Sequence, residues 1–147
     1  MRLTHKRAVE THIDTVWDRC TDLHTVGGCF PGAAITSVDG DDFTGEVAVK
    51  VGLWTLKFVG EGSMTVRDTA HHRAEIRSSG HESRGLGHAD LVVVLTLTER
   101  RGGGTEMLLE SRLAVRGLPA ALGSSLAQTI SGPPVRKFLS CVGTPVD

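Results

Sequence analysis

Seven histidines and three cysteines are the side chains of this 147-residue sequence best suited to chemistry. A metal ion needs several of them converging on one point, and the histidines are not spaced for that. His71 and His72 are adjacent, so in a strand they point to opposite faces and cannot share an ion. His81 beside Glu82, and His88 near Asp90, fall at expected strand ends, where a meeting would be incidental. The pattern predicts solvated loop histidines and no metal site. Cys20, Cys29 and Cys141 are odd in number and lack metal-type spacing, so they are expected as reduced thiols of a cytoplasmic protein. A cysteine nucleophile needs a nearby base and an electropositive setting. Cys20 falls on an apolar helix face, and Cys29 beside Pro31-Gly32 has no identifiable base. The sequence contains no nucleophile elbow, phosphate loop or dinucleotide fingerprint. Gly102-Gly103-Gly104 reads as a hairpin, which offers no helix N-terminus to a phosphate. No catalytic residue is assigned, and a non-catalytic binding protein is expected.

The elements that must position these groups follow from periodicity. Leu3–Glu10 alternates as a first strand, and Ile13, Val16, Trp17 and Cys20 share one helical face after a cap at Thr11 or Asp14. A second short helix holds Leu23 and Val26 and ends at Gly27-Gly28, before a turn at Cys29–Ala33. Strands follow, separated by turn residues. Phe43, Val47, Val49 and Val51 face one way in one of them. In the next, Trp54, Leu56, Phe58, Met64 and Val66 share a face with Gly60 and Gly62. Two glycines at period two remove side chains where a sheet coils sharply or where something bulky lies against it. Later strands place Ala74 and Ile76, then Leu91, Val93, Leu95 and Leu97, then Met107, Leu109, Leu113 and Val115, on inward faces. Leu118, Leu122, Leu126 and Ile130 recur at four-residue intervals, the stripe of an amphipathic helix. Gly132-Pro133-Pro134 breaks it, and Pro133 opens a final helix carrying Val135, Phe138, Leu139 and Val142.

These elements make one α+β domain over residues 1–147, a curved antiparallel sheet wrapped around a long, kinked C-terminal helix, with two short helices after the first strand. Two packings satisfy the pattern. Sheet and helix interdigitate into a dry core, or one helix fails to fill the concavity and leaves an apolar cavity of the kind that binds ligands. On the second packing the ligand contacts are Val49, Val51, Trp54, Phe58, Gly60, Gly62, Met64 and Ile76 from the sheet, and Leu118, Leu122, Leu126 and Ile130 from the helix. A net charge of −1 supplies no basic field for nucleic acid, so no nucleic-acid partner is expected. The amino-terminal residues lack a signal-type apolar region, and no run approaches the roughly 20 residues that span a bilayer.

Several short motifs occur in an order that resembles a known family. They are Cys29-Phe30-Pro31-Gly32-Ala33, Val49-Lys50-Val51-Gly52, Phe58-Val59-Gly60, Gly85-Leu86-Gly87, Gly104-Thr105, Val115-Arg116-Gly117-Leu118 and Leu122-Gly123. Together they resemble the CoxG family of carbon monoxide dehydrogenase subunits, within the START-like, Bet v 1-like (SRPBCC) helix-grip superfamily. The resemblance implies a seven-stranded sheet with an apolar tunnel against the helix. It also implies a non-catalytic accessory of a molybdenum hydroxylase-type dehydrogenase, with no cofactor of its own beyond a bound quinone or isoprenoid lipid. Its implied partners are that dehydrogenase complex and the membrane surface, at the inner face of which the protein would sit peripherally. A polyketide cyclase-like enzyme and a ligand-free assembly factor are the alternatives on the same fold.

Overall fold

In the computed structural model, residues 1–130 and 132–144 are described. Strand β1 (Arg2–Val9) leads into helices α1 (Ile13–Cys20) and α2 (Leu23–Cys29). Six strands follow: β2 (Ala33–Asp39), β3 (Asp42–Val51), β4 (Trp54–Asp68), β5 (Arg73–Glu82), β6 (His88–Glu99) and β7 (Thr105–Arg116). Helices α3 (Ala120–Ile130) and α4 (Pro133–Val142) complete the order. The strands form one seven-stranded antiparallel sheet, β1-β7-β6-β5-β4-β3-β2, in which every connection after β2 is a simple hairpin. The expected α+β helix-grip architecture is the one observed.

Local chemistry sets the boundaries. His12 caps α1 by accepting from the Asp14 amide, a role expected of Thr11 or Asp14. Thr11 is buried instead, and its hydroxyl donates to the Gly143 carbonyl beyond α4. Asp22 caps α2 by accepting from the His24 and Thr25 amides. That helix runs through Gly27 and Gly28 rather than stopping there; Ile35 Cγ1 lies 2.3 Å from where a Gly27 Cβ would stand, so only glycine fits there. Gly132 and Pro133 open α4 as the sequence predicts.

The interior divides into two clusters. One joins α1 and α4 to β6 and β7 through Val16, Trp17, Leu97, Met107, Phe138, Leu139 and Val142. The other lies under α3 and joins Val49, Val51, Leu56, Phe58 and Leu126. In β4 the inward alternation predicted through Val66 fails at a bulge. The register shifts between Met64 and Val66, so Met64 is buried while Val66 pairs with Glu75 and is exposed. A bulge inserts one residue, and the side chains beyond it change face.

The cysteines require a correction. Cys29 and Cys141 form a disulfide, with Cα atoms 5.5 Å apart, and only Cys20 is free. Packing of α4 across the end of α2 brings together residues separated by 112 positions. The sequence carries no trace of that pairing. The expectation of a cytoplasmic protein, so far as it rested on unpaired cysteines, loses that support.

Candidate functional site: an apolar cavity over a row of glycines

The register of the central strands aligns residues without side chains. Gly45 pairs with Gly60, Gly60 with Gly80, and Gly80 with Ala89, so one inward row across β3, β4, β5 and β6 is nearly bare. The backbones close up there. A Cβ on Gly60 would stand 1.9 Å from the Ser79 carbonyl oxygen, and one on Gly45 would stand 2.7 Å from the Ala34 carbonyl oxygen. Sharp coiling of the sheet therefore demands these glycines, and the same residues leave the sheet floor empty. Above the row lies α3, whose one buried side chain is Leu126.

A cavity of about 270 Å³ remains between them. Its walls come from Val47, Val49 and Phe58 on the sheet, Leu126 and Ile130 on α3, Phe30 and Ile35 around α2 and β2, and Val135 on α4. Ala89, Leu91 and Leu113 line its far side, and Ser78 and Ser111 also border it. At ~30 Å³ per water-sized group, the space holds about nine such groups.

Among the expected contacts, Val49, Phe58, Gly60, Leu126 and Ile130 line this cavity. Val51, Leu118 and Leu122 pack in the adjoining cluster instead, closing the end of the sheet beneath the start of α3. Gly62 is covered by the protein's own Phe43, whose ring carbon lies 2.5 Å from the position of a Gly62 Cβ. Met64 and Ile76 form the next inward row, outside the wall. Trp54 stands 49% exposed at the β3–β4 hairpin tip, beyond the packed cluster. Among the wall residues outside the expected contacts, Val47, Leu91, Leu113 and Val135 follow the apolar periodicity, whereas Gly45, Gly80 and Ala89 carry no such signal. The glycines would have been found only by knowing which residues pair across strands.

Glu46 and Glu61 also border the cavity, and the other titratable groups lie elsewhere. Asp90, on the face opposite Ala89 and Leu91, accepts from the Ser79 hydroxyl, lies 3.1 Å from His88 Nε2 and pairs with Arg116 at 3.4 Å. These contacts, the Ser79 hydrogen bond foremost, hold its carboxyl below the usual range. His71 bonds Asp68 at 2.8 Å, and His72 meets Trp17 edge-on at 5.6 Å. Among the described residues, no three His, Cys, Asp or Glu side chains are grouped to hold a metal. Burial pushes the Cys20 thiol up to about 12, which removes it as a nucleophile.

Glu82 is a buried carboxylate that hydrophobic periodicity does not single out. It is fully buried at the end of β5, opposite Phe58. Burial alone would raise its pKa. The Arg84 amide at 2.8 Å, the Lys57 amide at 3.2 Å and the Arg84 guanidinium outweigh that effect and hold it below its ordinary value. Its task is structural, fixing the β5–β6 loop so that Leu86 covers the cluster beneath α3.

The family model for CoxG, described as a subunit of carbon monoxide dehydrogenase, matches residues 6–146. The chain belongs to the CoxG family. No curated protein sequence matches it. Solved structures show the fold more widely. A conserved protein from Geobacillus kaustophilus superposes with a TM-score of 0.82 at 14% identity, covering 97% of this chain and 93% of that one. The ZhuI aromatase/cyclase from Streptomyces sp. R1128 gives 0.70 at 14% identity, with 97% and 90% covered. Norcoclaurine synthase from Thalictrum flavum gives 0.66 at 10% identity, with 97% and 84% covered. At such identities these likenesses establish the helix-grip fold of this CoxG-family chain and nothing finer. Among its described residues, no helix is long and apolar enough to cross a membrane.

Proposed function

We propose that this CoxG-family chain is a non-catalytic accessory protein that holds the apolar head of a quinone or isoprenoid lipid for a carbon monoxide dehydrogenase-like molybdenum hydroxylase. The observation that carries this reading is the cavity over the Gly45–Gly60–Gly80 row, walled almost wholly by aliphatic and aromatic side chains. Burial of apolar area at roughly 25 cal/mol per Å² binds such a head without a charged anchor. The volume favours a single ring over a long folded chain. A cytoplasmic site of action belongs to the same proposal, and there the partly exposed Cys29–Cys141 bond would be open to cellular thiols. A cyclase reading rests on the Ser78 and Ser111 hydroxyls at the cavity wall, which would have to polarise a bound carbonyl.

Titration with N-phenyl-1-naphthylamine, followed by displacement with a short-chain benzoquinone or with palmitate, tests the proposal. The expected result is one probe site per chain, emptied by the quinone at lower concentration than by the fatty acid. Absence of probe binding would overturn the ligand reading, and turnover of a displacing carbonyl compound would favour the cyclase.

A further inference from the structure

The three helices that meet near the Cys29–Cys141 bond are held unequally. Helix α1 buries Ile13, Val16, Trp17 and Cys20, and α4 buries Val135, Phe138, Leu139 and Val142. Helix α2 buries only Leu23 and Gly27. Its seven residues include Gly27 and Gly28, which are weak helix formers, and so short a helix does not persist unaided. The segment is fixed at its two ends. The Arg67 guanidinium donates to the Thr21 carbonyl at 3.0 Å just before α2, and the Ala48 amide donates to the Gly32 carbonyl at 2.9 Å just before β2. Between these points the far end of α2 is joined to α4 by a tilted ring contact, Phe30 on Phe138 at 6.4 Å, and by the disulfide.

That far end is cavity wall. Phe30 follows Cys29 directly and lines the cavity with Ala33 and Ile35, and Val135 of α4 lines it too. The disulfide therefore crosslinks two elements that share a wall of the cavity. It is also within reach of solvent, because Cys141 is exposed and Cys29 half-buried. Cys20, by contrast, is 3% exposed inside the packed cluster. Disulfides open to solvent are the ones that thiols reduce and that serve as switches, whereas those sealed in a core persist.

We infer that the Cys29–Cys141 bond is a redox latch on the cavity wall, which a dithiol reductant opens to let the apolar occupant exchange. The inference rests on the ligand reading above. A thiolate of the dithiol attacks the Cys141 sulfur, the S–S bond breaks, and Cys29 leaves and takes up a proton. The dithiol's second thiol then displaces Cys141 and closes its own disulfide, so two electrons and two protons pass to the cysteines. The far end of α2 is then free of α4, which stays seated on its four buried residues. Hydrogen–deuterium exchange and stopped-flow release of N-phenyl-1-naphthylamine, on wild type before and after dithiothreitol, test the latch. Reduction is expected to quicken exchange at the Val26 and Phe30 amides of α2 at least about tenfold, with β6, β7 and α4 still protected. The probe should leave the reduced protein at least about tenfold faster, as from a site whose wall has opened. The C29S/C141S variant should behave like reduced wild type without reductant, and should not respond to it. Reduction that leaves either α2 exchange or probe release unchanged overturns the latch. Loss of protection across the whole sheet overturns it too, because reduction would then unfold the molecule rather than open one wall. Oxidised protein that takes up no probe overturns the ligand reading instead, and the latch falls with it.

Discussion

The two halves of the interior are closed by different means. Beneath α1 and α4 the space is filled by large side chains, with Val16, Met107 and Val142 at 0% exposure, and the Cys29–Cys141 bond ties α2 to α4. Beneath α3 the sheet presents glycines, and the helix sends one buried leucine toward them. Close packing is therefore complete on one side and interrupted on the other within a single sheet. The difference teaches that the void follows from backbone coiling at Gly60 and from the single buried side chain that α3 supplies.

That contrast can be broken by mutation. Met107→Ala, in the filled half, is expected to lower unfolding free energy by about 2–5 kcal/mol, measured by urea denaturation, with probe binding by the folded protein unchanged. Cys141→Ser is expected to cost about 2–4 kcal/mol, and wild type in reducing buffer should show the same loss. Leu126→Ala, beside the existing void, should fall near the low end of leucine truncations, about 2 kcal/mol, because fewer neighbours surround the removed atoms. A cost equal to that of Met107→Ala would mean the α3 half is as tightly packed as the other.

The smallest effect is in pH dependence. The Glu82 carboxyl is held below its ordinary value, so its contribution to stability is present above the unfolded pKa of about 4.3 and lost as pH falls through the folded value. Asp68, Glu75 and Asp90 are lowered as well and act in the same direction. Glu82→Gln should reduce the thermal midpoint at neutral pH and flatten its decline below about pH 4.3. An unchanged slope would show that Glu82 contributes nothing to the acid limb.

Much of the fold was legible because its signals are local. Inward alternation marked β3, β6 and β7, and Gly132-Pro133-Pro134 marked the division of the C-terminal helix. The lining of the candidate cavity was legible where it followed those patterns, at Val49, Phe58, Gly60, Leu126 and Ile130. It was not legible where pairing between strands decides. Gly45 and Gly80 read as ordinary strand glycines until the register stacks them beside Gly60. Val66 and Trp54 were misdirected by a bulge and by a position at the sheet's end, neither of which alters hydrophobic period. The Cys29–Cys141 bond joins helices from opposite ends of the chain, a contact no spacing rule contains.

Ala89 continues the glycine row at the cavity floor, and a larger side chain there fills the void without touching the packed half. Native mass spectrometry of wild type and Ala89→Leu, as purified, tests the central claim most directly. The expected result is an apolar adduct of one molecule per chain on wild type, absent from Ala89→Leu, with thermal midpoints of the two proteins within a few degrees, roughly the shift for 1 kcal/mol or less. An adduct that persists on Ala89→Leu, or a wild type that carries none and takes up none from added quinone, would contradict it.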